Sequence, residues 1–101
     1  MQLQTIAEAD QEIDSASHFY EQKRENLGKE FESAVGQAFA KIIEQPQGYQ
    51  LEEQLVSAGV RRCILVGFPY KVVYRVLEQE IQILAVAHCS REPLYWQSRV
   101  H

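Results

Sequence analysis

The chain lacks any long apolar run. Stretches such as Ile83-Leu84-Ala85-Val86-Ala87 stay far below the ~20 residues a membrane helix needs. Its N-terminus, Met1-Gln2-Leu3-Gln4-Thr5, has no basic segment ahead of an apolar one, so no signal peptide is expected and the chain reads as cytoplasmic. Cysteine is scarce: Cys63 and Cys89 lie in or beside apolar strand runs without CxxC spacing, which excludes a disulfide framework and implies two reduced structural thiols. His18, His88 and His101 are scattered and have no matched cysteine or carboxylate partners, so neither a metal site nor a cofactor is expected. Repeats and low-complexity tracts are absent too, leaving one domain over residues 1–101 with a modest hydrophobic core.

Positive charge is missing from one long stretch. Gln47 to Gly59 contains no Lys or Arg, and the net charge is −4. Residues 1–50 carry nine acidic and four basic side chains (−5), whereas residues 60–101 carry three acidic and six basic ones (+3). An acidic half is thus followed by a mildly basic one, which argues against a constitutive nucleic-acid binder.

What is present is strong patterning. From Ala7 to about Asn26, Ile13, Ala16, Phe19 and Tyr20 follow helical spacing, with acids in the first turns and Lys23-Arg24 in the last, as the helix dipole favours. Asn26-Leu27-Gly28 reads as a tight connection, because Asn and Gly tolerate a left-handed backbone. A second helix carries Phe31, Ala34, Val35, Ala38 and Ile42 on one stripe, widened by Phe39 and Ile43, and ends at Gln45-Pro46. The plain use of that stripe is core packing.

A polar loop with Tyr49, Leu51 and Leu55 follows, and then the period changes. Val60 to Phe68, Tyr70 to Leu77 and Ile81 to His88 are strand-like, with Glu78-Gln79-Glu80 as a hairpin link and Pro69 between strands. Alternation puts Tyr70, Val72, Tyr74 and Val76 on one face and Lys71, Val73, Arg75 and Leu77 on the other. With Met1 to Thr5 as a weak first strand, the order is β-α-α-β-β-β. The expected fold is two-layer α+β, an N-terminal helical hairpin packed on a small antiparallel sheet. The second sheet face is expected to be open or partly covered by the tail.

Several groups of residues resemble one family. They are Ala9-Asp10-Gln11-Glu12-Ile13 entering a helix with Phe19-Tyr20, then Leu27-Gly28 with Phe31, and Ile42-Ile43 with Pro46 and Tyr49. Gly59-Val60-Arg61-Arg62, Phe68-Pro69-Tyr70, Tyr74-Arg75, Ile83 to Val86, and the ending His88-x-x-Arg91-x-Pro93-x-Tyr95-Trp96-x-x-Arg99 complete the set. Together they resemble the RelE/ParE superfamily of toxins over nearly the whole chain. The resemblance implies the toxin of a prokaryotic type II toxin–antitoxin, or plasmid stabilisation, system. Its implied partner is a cognate antitoxin whose flexible segment wraps the toxin, which would meet DNA only through that antitoxin. The short, polar first strand departs from the family pattern.

Two activities follow from the resemblance. RelE-like members cleave ribosome-bound messenger RNA without a metal, a reaction that needs a base, an acid and cations around one phosphate. ParE-like members bind DNA gyrase and arrest growth without chemistry of their own. For the first, the candidates are Arg61 or Arg62 as phosphate clamp, with His88 or Tyr95 as proton carriers. Each has a plainer use: the arginines in a strand entry paired with carboxylates, His88 bonded to the turn around Ser90, and Tyr95-Trp96 capping the core. For binding an antitoxin or a target, the candidates are Lys71, Val73, Arg75, Leu77, Arg91, Trp96 and Arg99. The absence of a lysine-rich strand favours the ParE-like reading. The remaining alternative is a relative that binds an antitoxin and is no longer toxic.

Overall fold

Asn26 separates the two helical runs by adopting φ 71°, the only positive φ outside glycine among the described residues of this computed structural model. Those residues are 1–52, 58–91 and 95–100. Leu55 and Pro93, both used in the sequence reading, lie outside them. Helix α1 spans Ala7–Lys23 and α2 spans Leu27–Glu44. Glu21 caps the second helix: its carboxylate accepts the N–H groups of Asn26 and Gly28, each at 3.0 Å. Those two bonds hold the Glu21 carboxyl below its ordinary range.

Four strands follow the expected order: β1 Gln2–Thr5, β2 Val60–Ile64, β3 Tyr70–Val76 and β4 Glu80–His88. In space they lie β1-β4-β3-β2. The last three pair antiparallel as their short links require, whereas β1 runs parallel to β4, Gln2 opposite Glu80 through Thr5 opposite Ile83, so the sheet is mixed. The long connection through both helices is what permits that parallel pair. β2 stops earlier than its composition suggests, because Gly67 turns the chain at φ 87° and Leu65 N–H already bonds Tyr70 O at 2.9 Å.

The helix-facing core matches the α2 stripe. Phe31, Ala34, Val35, Ala38 and Ile42 are buried against Val72, Tyr74, Ile81, Ile83 and Val86. Helix α1 contributes less bulk: Ala9, Ala16 and Ser17 are its buried residues, and Phe19, expected on the packed stripe, is 52% exposed. Small residues on that face let the helices approach so closely that Gly28 packs onto the Ser17 backbone.

A bulge decides the other face. Val73 pairs with Ala85 but Tyr74 pairs with Ile83, leaving Leu84 as the extra residue of β4. Leu84 and Ala85 therefore both turn away from the helices. With Val60 and Val73 they form a second buried cluster closed by Trp96, which is 1% exposed. Val73 is therefore not a free contact on an open sheet face. Its own chain covers it, because the tail doubles back and seats its indole there.

Candidate functional site

β4 is longer than its neighbour β1, and the site is built where β1 runs out. The last contact along that edge is Ile6 N–H to Ile83 O at 3.2 Å, after which the chain turns into α1. From Leu84 onward the edge of β4 has no strand beside it, and an unpaired buried backbone group is costly. Two side chains stand in for the missing strand. Glu12 Oε1 accepts the Val86 N–H at 3.0 Å, and Arg99 Nη1 donates to Leu84 O at 2.9 Å.

Those side chains also bind each other. Arg99 meets Glu12 through Nη1–Oε1 at 3.1 Å and Nη2–Oε2 at 3.3 Å, a two-pronged charge-assisted pair. The Tyr95 hydroxyl donates to Glu12 Oε2, and Arg91 Nη1 lies 3.9 Å from the same oxygen with its guanidinium 3.7 Å from the Tyr95 ring centre. Burial, first, and the hydrogen bond to the Glu12 carboxylate, second, push the Tyr95 phenol far above its ordinary range. The phenol is a held donor, not a group ready to release a proton.

Outside this knot the surface opens into a groove of about 520 Å³ between α1 and the tail. Ala16 and Phe19 form one wall, Tyr70, Val86 and His88 lie along the sheet side, and Arg91 stands at the other wall. His88 is already engaged. Its Nδ1 accepts the Ser90 N–H at 3.0 Å and lies 2.7 Å from Ser90 Oγ, with its ring edge-on to Tyr70.

The remaining sequence candidates lie elsewhere. Arg61 and Arg62 point to opposite faces, as neighbours in a strand must. Arg61 donates to Tyr49 O at 2.6 Å and Gln47 Oε1 at 2.9 Å, pinning the loop after α2. Arg62 and Lys71 converge on Glu52 at 3.4 and 3.1 Å, and that carboxylate is 8% exposed. Arg75 Nε donates to Gln82 Oε1 at 2.8 Å, and Leu77 is 38% exposed. The structure thus gathers His88, Arg91, Tyr95 and Arg99, separates Arg61 and Arg62 from them, and buries Val73 and Trp96. No group of acids, histidines and cysteines able to hold a metal ion occurs among the described residues. None of the described helices is long and apolar enough to cross a membrane.

Sequence reasoning missed Glu12 and Glu52. The signal for Glu12 was present: it stands three residues after Ala9 and four before Ala16, on the buried stripe of α1, where a charge requires a partner. Glu52 had no such mark, being one acid in a polar loop.

Over residues 7–93 the chain matches a family model described as the ParE toxin of type II toxin–antitoxin system, parDE. Among solved structures it is similar to a chain of a chromosomal ParDE toxin–antitoxin system from P. aeruginosa. The TM-score is 0.72 and the identity 27%, over 87% of this chain and 95% of that one. A comparison with curated protein sequences found no match.

Proposed function

The chain belongs to the ParE family of type II toxins, and on that premise we propose that it arrests growth in the cytoplasm by binding a protein target, DNA gyrase, rather than by cutting RNA. Type II toxins of this kind are held by an antitoxin, so an antitoxin is this chain's partner. The observation that carries the non-catalytic reading is the separation of the candidate groups. β3 lies between β2 and β4; Arg61 pairs with Tyr74 while His88 pairs with Tyr70. Two strand spacings across and four residues along place the two backbones about 16 Å apart. With Arg61 tied to the Tyr49 loop and Arg62 and Lys71 both held on Glu52, no single phosphate meets these cations and His88 together.

A second reading draws on one observation, that His88, Arg91, Tyr95 and Arg99 line the same groove. Primer extension on translated messages separates the two. The expected result is no cleavage by the wild type, alongside inhibition of gyrase supercoiling by the purified protein. Codon-specific cuts that vanish in His88→Ala, Arg61→Ala or Arg62→Ala would establish the ribonuclease instead. Normal growth on induction would indicate an antitoxin-binding relative without toxicity.

The antitoxin segment is assigned to the groove along α1. Phe19 offers an exposed ring there, whereas Val73 on the second face is covered by Trp96. Phe19→Ser should weaken capture of the co-expressed antitoxin while leaving the melting temperature near wild type. Unchanged capture would place the antitoxin elsewhere.

A further inference from the structure

The tail is attached to the body in an unusual way. Residues 95–100 form their own turn, with Arg99 N–H to Trp96 O at 2.9 Å and Val100 N–H to Gln97 O at 3.2 Å. No backbone hydrogen bond joins this segment to the sheet among the described residues. Its attachments are side chains: the Trp96 indole over Val60, Val73, Leu84 and Ala85, and the polar ties of Tyr95 and Arg99. All but one of those polar ties end on Glu12, a residue of α1 on the far side of the β4 edge. A segment without a backbone ladder can leave without breaking the sheet, which is the condition for a local opening unit.

We propose that Tyr95–Val100 is a strap that opens as a unit from the second sheet face, with Glu12 as its catch. Closed, it seals an apolar strip of four residues that have no accessible surface. Open, it bares that strip to solvent, which the closed form does not do. The catch reaches around the sheet edge, so it couples helix α1 to a face that α1 does not touch.

The chain has one tryptophan, and it lies in the strap, so fluorescence reports the opening directly. Wild-type protein is titrated with urea while acrylamide quenching of Trp96 and far-UV circular dichroism are followed together. Quenching is expected to rise at urea concentrations where the dichroism is still native. Glu12→Gln should raise the opening equilibrium about 10–100-fold, the weight of lost hydrogen bonds to a charged group, and should speed exchange of the Val86 amide. Tyr95→Phe, which removes one hydroxyl and keeps the ring, serves if Glu12→Gln does not fold, with an expected rise of about 2–10-fold. Glu30→Gln, whose carboxylate meets Arg24 at the surface, should change neither readout. Quenching that tracks the dichroism throughout in wild type would mean that no independent strap exists. Wild-type quenching in the Glu12 and Tyr95 variants would remove the catch. Either result overturns the proposal.

Discussion

The same substitution at two positions of one helix should act in opposite directions. Gly28 and Gly36 both lie in α2, where replacing glycine by alanine ordinarily stabilises by about 0.5–1 kcal/mol through lower backbone entropy in the unfolded chain. Around Gly36 an added Cβ meets nothing within 4 Å, so Gly36→Ala should realise that gain. At Gly28 the Cβ would sit 2.7 Å from the Ser17 carbonyl oxygen, a backbone atom that cannot rotate away, and 3.0 Å from both Ser17 Oγ and Glu21 Oε1. Helix α1 must retreat, stretching the Ser17 Oγ–Gly28 O contact at 3.3 Å and the Glu21 bond to the Gly28 N–H. Overpacking of this sort costs about 1–3 kcal/mol, more than the entropy gain, so Gly28→Ala should be net destabilising. At roughly 4–8 °C per kcal/mol for a domain of this size, the two variants should melt on opposite sides of wild type, separated by about 4–24 °C. Thermal melts and urea titrations of the three proteins measure this. If Gly28→Ala melts at or above wild type, the close helix approach is wrong and the reasoning fails with it.

Phe31 is fully buried, with ring centres of Tyr20, Phe68 and Tyr70 at 5.4, 5.3 and 5.0 Å, so Phe31→Ala should cost about 3–5 kcal/mol by urea titration. A loss below about 1 kcal/mol would show the α2 face misassigned. Burial pushes the phenol of Tyr74 up to about 12, and its hydroxyl donates to Pro46 O at 2.8 Å. The neutral form is the one the fold prefers, so its contribution is full below pH 10 and is lost as pH rises through about 12, amounting to about 2–3 kcal/mol. Tyr74→Phe should flatten that alkaline loss in stability measured from pH 9 to 12, and an unchanged profile would contradict it. Asn26 holds φ 71°, so Asn26→Ala should cost about 1–2 kcal/mol while Asn26→Gly should be near neutral; equal effects in denaturant titrations would mean that the left-handed turn is not required.

Much of the fold was legible because its periods are strong. The α2 stripe from Phe31 to Ile42, the hairpin at Glu78-Gln79 and the ends of β3 follow from local pattern alone. Phe19 was misplaced because α1 buries alanines and a serine, and small residues leave a weak period that any nearby aromatic distorts. Leu84 was unreadable: a bulge adds one residue and inverts the alternation behind it, so Ile83 and Val86 share a face although three positions apart. The candidate site was half visible. His88, Arg91, Tyr95 and Arg99 announced themselves as a cluster in the tail. Glu12, the common partner of the last three, stands 83 residues before Tyr95, and no local signal links them. Val73 looked like an exposed contact because alternation assigns a face but does not say what covers it.

The pairing of β1 with β4 has a consequence in time. Gln2 lies opposite Glu80, so the first strand waits for 80 − 2 = 78 further residues before it can find its partner. At about 5–20 residues per second that is roughly 4–16 seconds of synthesis. The helical hairpin, a local structure, can form within that interval, but its buried stripe has no sheet to rest on until β2, β3 and β4 emerge. Glu12, likewise an early residue, holds nothing until β4 and then the tail have been made. A chain halted anywhere before β4 would carry an exposed apolar helix face and neither the groove nor the covered second face. The making of β4 and the tail is thus the step at which the chain acquires the shape of a toxin.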